Sequence, residues 1–111
     1  MADASATATE EKRPDLEGVD VLTVLQALSD PVRLEIVRQL AAAEGGKGLM
    51  CNQLQLPVAK STGSHHLRTL LNAGITAEQE QGTCKYVRLR QADLERRFPG
   101  LLDSVLQATS R

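Results

Sequence analysis

The sequence predicts a mainly α-helical domain with one small β-hairpin, its elements running α-α-α-α-β-β-α. Three observations carry this. Hydrophobic residues make up 41% of the 111-residue chain but aromatic residues only 2%, so the core must be built from Leu, Val, Ile and Ala, which suits packed helices and rules against a sheet-rich or aromatic-lined ligand barrel. Apolar residues recur at helical spacing from Val21 to Leu71. After Gly74 the period changes to alternation on either side of Gly82-Thr83, as a hairpin requires. A chain of this length is one domain near the lower limit of a self-sufficient core, so dimerisation is open from the start.

Residues 1–15 are rich in Ala, Thr and Glu, lack hydrophobic periodicity and read as a disordered tail, leaving 16–111 as the folded unit. Val21, Leu22, Leu25 and Leu28 place a first helix at about 17–28. In SDPVRLEIVRQLAAAEGG, Asp30 is a natural N-cap and Pro31 suits the first helical position. Leu34, Ile36, Val37, Leu40 and Ala41 then form an apolar stripe that stops before Gly45-Gly46. The stretch LMCNQLQLP predicts a third helix of about two turns closed by Pro57, and Leu56–Lys60 is a tight turn. A fourth helix starts at Ser61 and stops at Gly74 in the left-handed cap position. Two short helices across such a turn form a helix-turn-helix arrangement. ITAEQEQ and KYVRLR make the hairpin, with Val87 and Leu89 on one face and Tyr86, Arg88 and Arg90 on the other. DLERRFPGLLDSVLQ gives a short helical turn, a break near Pro99, and a last helix with a narrow Leu101, Leu102, Val105, Leu106 stripe.

The fourth helix, STGSHHLRTLLNAGI, divides by chemistry. At about 100° per residue, Leu67, Leu70 and Leu71 share a face with Gly63, and Ser61, His65, Arg68 and Asn72 lie opposite. The leucines anchor the helix while short hydrogen-bonding groups crowd its N-terminal end. A helix entering a DNA major groove needs this arrangement, because bulky groups there would hold it off the base edges and the helix dipole favours phosphate at that end. Ser61, Thr62 and Ser64 can meet phosphate or base edges, His65 can donate to guanine or phosphate, and Arg68 adds charge. Each residue also has a bland reading, Ser61 as a helix cap and the histidines as surface residues. His66 projects toward the edge of the leucine face and is expected to pack or hydrogen-bond inside the domain and not to touch DNA.

Charge agrees in placement. Residues 1–20 carry six acidic side chains against two basic, and residues 60–90 five basic against two acidic, within a formal net charge of −1. Nucleic-acid binding depends on the local patch, not on the total. The start MADASATATEEKRP has no apolar run and no segment approaches the roughly 18 apolar residues of a membrane span, so a cytoplasmic protein is expected. Cys51 and Cys84, without a CxxC pair, read as reduced thiols.

ALSDPVRLEIVRQL, STGSHHLRTLLNAGI and EQGTCKYVRLR, in this order over roughly residues 20–108, resemble the ArsR/SmtB family of bacterial winged-helix transcriptional regulators. The resemblance implies a winged helix-turn-helix homodimer, held by the first and last helices, that binds operator DNA and most often represses. By matching positions it implies DNA contacts from Lys60, Ser61, Ser64 and His65, with the fourth helix in the major groove and the hairpin as a wing. Thr62, Arg68 and, on the wing, Lys85 join the candidate DNA-binding set from their own chemistry. The dimer interface is expected from Val21, Leu22, Leu25, Leu101, Leu102, Val105 and Leu106.

The family pattern fails at the sensor. Its best-known metal ligands are a Cys-x-Cys pair in the third helix, where this chain has Met50-Cys51-Asn52, and a second known site needs histidine in the last helix, where residues 91–111 have none. With Cys51 in the third helix and Cys84 on the wing, these two and His65 and His66 are not expected to converge on a metal, and a redox switch through the thiols has no support in the sequence. No metal and no cofactor are expected. The missing ligands keep a second reading open, an interaction module whose sensing lies in a partner protein acting as co-regulator. An enzyme is excluded: the histidine pair has no carboxylate or cysteine at helical spacing, and there is no phosphate-binding glycine loop. Glu78 and Glu80 offset Lys85, Arg88 and Arg90, so few wing contacts to phosphate are expected.

Overall fold

The computed structural model describes residues 11–43, 48–82 and 84–109. A single 3-10 turn at Leu16–Gly18 precedes α1 (Val21–Leu28), so the first predicted helix is split. Asp20, not a residue farther upstream, caps α1 by accepting from the Leu22 N–H at 3.2 Å. In α2 (Pro31–Ala42) the predicted start holds: Asp30 accepts from the Val32 and Arg33 N–H groups at 2.8 and 3.1 Å, with Pro31 in the first helical position, where its missing N–H costs nothing.

The third predicted helix is corrected. Leu49–Met50 form a short strand, β1, and Cys51–Gln53 a single 3-10 turn. Two causes act together. Gly48 enters the segment at φ +98°, a conformation outside the helical region. The Gln53 side chain then accepts from the Met50 N–H at 2.8 Å, closing the turn after one cycle. The Leu54–Leu56 stretch that follows, ahead of Pro57, is not helical.

α3 (Lys60–Asn72) begins one residue earlier than predicted and ends as predicted, with Gly74 at φ +80°. A Cβ at Gly74 would lie 2.5 Å from Leu16 Cδ2, so this glycine serves both the helix stop and the approach of the N-terminal segment. β2 (Thr76–Gln81) and β3 (Cys84–Leu89) form the hairpin, and β1 pairs with the other side of β3 to make a three-stranded antiparallel sheet of order β1-β3-β2. α4 (Gln91–Arg97) and α5 (Leu101–Thr109) follow, separated at Phe98–Gly100. The order is therefore α-α-β-α-β-β-α-α, mainly helical with a small antiparallel sheet.

Val24, Leu28, Ile36, Val37, Leu40, Leu70, Ile75 and Val87 fill the core, with Leu94 and Leu102 closing it from the C-terminal side. Ile36, Val37, Leu70, Ile75 and Val87 are wholly inaccessible, so α2, α3 and the sheet are joined by their largest apolar side chains. This holds α3 rigidly by one face.

Of the tail predicted over 1–15, residues 1–10 lie outside the described residues. Residues 11–15 are docked on the fold. Lys12 and Glu78 exchange backbone hydrogen bonds of 2.6 and 3.0 Å, Glu11 holds the Arg88 guanidinium with two, and Arg90 Nη1 donates to the Pro14 carbonyl at 2.8 Å. Burial of Leu16 under Gly74 anchors the end of this strap.

Candidate nucleic-acid interface

The candidate site is built on α3. Gly63, Leu67 and Leu70 are buried against the core, Leu71 is half-buried, Ser61, His65, Arg68 and Asn72 are exposed on the opposite side, and Lys60, Thr62 and Ser64 are exposed on the flanks between. Ser61 is not a cap. The N-cap is Ala59, which has no side-chain oxygen to offer the first amides of the helix. No side-chain hydrogen bond or ion pair joins Lys60, Ser61, Thr62, Ser64 or Arg68 to another described residue. The helix thus presents free hydroxyls, two cations and an uncapped, dipole-positive end to solvent.

His66 behaves as its position predicts. Arg33 Nη1 lies 3.1 Å from His66 Nδ1. A guanidinium only donates, so in this contact Nδ1 is the acceptor. The same guanidinium donates from Nε to the Ala27 carbonyl at 2.7 Å and from Nη2 to that of Gln26 at 3.4 Å. One arginine therefore satisfies the last carbonyls of α1 and orients the middle of α3. The Asp30 carboxyl sits below the ordinary aspartate range, chiefly because it accepts the Arg33 backbone N–H, with the Val32 N–H and the nearby His66 and Arg33 side chains helping against desolvation.

The hairpin is electrostatically self-satisfied. Glu78, expected to project charge, is 3% exposed and lies 3.4 Å from Lys85. Arg88 is held by Glu11, whose carboxyl is lowered from the usual glutamate range foremost by that hydrogen bond. Arg90 pairs with Asp93 at 3.2 Å. Lys85 remains exposed but shares its charge with Glu78, which makes it a weaker phosphate contact than its sequence position indicates.

The expected interface residues divide. Val21, Leu22 and Leu25 are 39%, 61% and 41% exposed on one side of α1, which is costly for side chains of this size unless covered. Leu101, Val105 and Leu106 are half-buried against the core. Leu102 is corrected: at 7% exposure, beside Val24, Leu28, Ile75 and Leu94, it belongs to the protomer's own core.

The cysteine reading is also corrected. Cys51 and Cys84 do converge, joined in a disulfide with Cα atoms 6.2 Å apart. The register explains it. Leu49 faces Val87 and Met50 faces Tyr86, so one more step would set Cys51 opposite Lys85, next to Cys84. Reading LM as a strand beside KYVRL would have found the pair; reading it as helix hid it. Met50 and Asn52 offer no thiolate and Cys51 is engaged, so the residues at the family's sensor positions do not fit a thiolate metal centre. Among the described residues no group of three or more His, Cys, Asp or Glu could hold a metal ion.

Comparison with known proteins places the chain among helix-turn-helix regulators. A family model described as a helix-turn-helix domain matches residues 28–79, from the end of α1 into β2. The chain is 37% identical over 84 residues to the uncharacterized HTH-type transcriptional regulator YceK of Bacillus subtilis (strain 168), covering 74% of this chain and 82% of that protein. It is 33% identical over 82 residues to the arsenical resistance operon repressor of the same organism, covering 73% and 72%. No helix among the described residues is long and apolar enough to cross a membrane. With relatives named as regulators and a repressor, the chain is a transcriptional regulator and not an enzyme, and it belongs to the ArsR family of helix-turn-helix regulators.

Proposed function

We propose that the protein binds double-stranded operator DNA as a homodimer in the cytoplasm and represses transcription, with α3 in the major groove and the hairpin as a wing. The observation that carries this is the two-sided character of α3: Gly63, Leu67 and Leu70 are buried, and Lys60, Ser61, Thr62, Ser64, His65 and Arg68 are exposed, all of them except His65, whose ring meets that of His66, without side-chain partners among the described residues. Ser64 and His65 meet base edges, while Lys60, Ser61, Thr62 and Arg68 meet phosphate, helped by amides that Ala59 leaves uncapped. Lys85 adds at most one wing contact. Repression follows the relative named as a repressor.

Val21, Leu22 and Leu25 supply the dimer face, with the exposed sides of Leu101, Val105 and Leu106 beside them. Two α3 helices would then address half-sites about 34 Å apart in an imperfect palindrome. The test is a titration of the DNA the protein protects from nuclease. If Ser64 and His65 each make one good base contact, replacing both with Ala should weaken specific binding by about 2–6 kcal/mol, with the circular dichroism spectrum unchanged. Undiminished binding by the folded double variant refutes the assignment.

A further inference from the structure

We infer that Cys51 and Cys84 form a reversible redox site, with a dithiol or disulfide as its reaction partner, and that its oxidised state clamps α3 and the hairpin tip into the DNA-binding arrangement. This rests on the DNA-reading proposal above, and four observations support it.

The bond joins the first residue of the 3-10 turn to the first residue of β3, across 33 positions of sequence. That span contains all of α3 and all of β2. Oxidation therefore closes a covalent ring around the reading helix and reduction opens it, which changes the freedom of this segment more than of any other. Without the bond, the segment leading into α3 is tied to β3 by a ladder of only two residue pairs, Leu49 with Val87 and Met50 with Tyr86.

Both cysteines are half-buried and line a cleft of about 460 Å³ that is also lined by Lys60, Gly63 and Ser64 of α3. A small dithiol can reach the sulfurs through this cleft. A change in their separation is transmitted directly to the residues proposed to meet DNA. A protein that works on chromosomal DNA works where thiol pools keep cysteines reduced, so a disulfide in it forms and breaks in use instead of serving as a fixed staple.

The chemistry balances as thiol–disulfide exchange. A thiolate of the reductant attacks one sulfur of the Cys51–Cys84 bond, and the other leaves as a thiolate and takes up a proton; the reductant's second thiolate then attacks the reductant sulfur of the mixed disulfide, closing the reductant's own disulfide and releasing the attacked cysteine as a thiolate that is protonated in turn. The cystine gains two electrons and two protons. The dithiol loses the same and becomes a disulfide. An oxidised partner of the disulfide class runs the sequence backwards.

The experiment uses the full chain equilibrated with reduced or oxidised dithiothreitol. Thiols are counted by alkylation and mass spectrometry, amide exchange is followed peptide by peptide, and DNA affinity is measured on the protected fragment. Oxidation should remove two thiols, slow exchange across 51–67 and 81–86, and tighten DNA binding by at least about fivefold, the lower end of typical coupling between sites. Cys51→Ser, Cys84→Ser and the double variant should match the reduced protein under both conditions.

Failure of the pair to oxidise overturns the proposal, as does equal exchange in the two forms. Equal DNA affinity with unequal exchange overturns the regulatory role. If neither form binds DNA, the DNA-reading proposal fails, and the clamp stands or falls on the exchange data.

Discussion

Replacing Gly63 with Ala should stabilise the protein, although the position is buried. Glycine inside a helix costs about 1 kcal/mol relative to alanine. Gly63 is the fourth residue of α3, already within the hydrogen-bonded ladder through its N–H to the Ala59 carbonyl at 2.9 Å. The added methyl would lie 3.4 Å from Leu56 Cδ1 and near nothing else outside its own helix, an ordinary approach to the movable end of a side chain. The expected gain is about 1 kcal/mol, which in a domain near 100 residues raises Tm by about 4–8 °C. Thermal unfolding should be followed by circular dichroism at one fixed protomer concentration, since dimer formation would make Tm concentration-dependent. Gly74→Ala provides the opposite sign: at φ +80° the left-handed backbone alone costs about 1–2 kcal/mol with a side chain, before the 2.5 Å approach to Leu16 Cδ2 is relieved. A fall in Tm for Gly63→Ala would refute the reasoning, by showing that Leu56 is fixed in place and that the glycine is required for packing.

Leu22→Asp should give a folded monomer by light scattering, because this side chain is 61% exposed in the protomer, whereas Leu102→Asp should unfold the chain because its site is internal; an intact dimer with Leu22→Asp would remove α1 from the interface. Asp30→Ala should cost about 1 kcal/mol at pH 7 by removing the α2 cap. The Asp30 carboxyl is depressed in the folded state, so its contribution is present above the ordinary aspartate value of about 3.9 and fades as pH falls below it; the gap between wild type and variant in urea unfolding should close in that acid range and persist from pH 5 to 8.

Elements that declare themselves through local chemistry were legible in the sequence. Asp30-Pro31 fixes the start of α2 by capping and ring geometry, Gly74 fixes the end of α3, and alternation about Gly82 fixes the hairpin. The polar side of α3 was legible for the same reason, since helical period alone separates Ser61, His65 and Arg68 from Leu67 and Leu70. What depended on distant partners was not. Leu49-Met50 has no strand signal of its own and becomes one only by pairing with β3, and the Cys51–Cys84 bond follows from that pairing. Glu11 lies in a segment without periodicity, and its order comes from Arg88, 77 positions away. Leu102 sits in a stripe that suits a dimer face or a core equally well, and only its neighbours decide.

Charge placement gives the proposed interface its character. The basic stretch from 60 to 90 looks in sequence like one patch, yet Lys85, Arg88 and Arg90 are each matched by Glu78, Glu11 and Asp93. Lys60 and Arg68, both on α3, are left without an acidic partner among the described residues. The hairpin's positive charge is thus largely cancelled within the protomer, and the field that would attract phosphate is concentrated on α3, beside the side chains proposed to read bases. Each phosphate neutralised contributes a slope of about −0.9 in log affinity against log salt, so an interface with few free cations loses less affinity to salt than a broadly basic one. A larger share of binding would then come from the short contacts proposed for Ser64 and His65, which depend on how closely α3 can approach the groove. On the clamp proposed above, that approach depends on the buried leucines beneath the helix and on the Cys51–Cys84 bond at its flank. On that proposal a change at the sulfurs should alter the specific part of binding more than the electrostatic part.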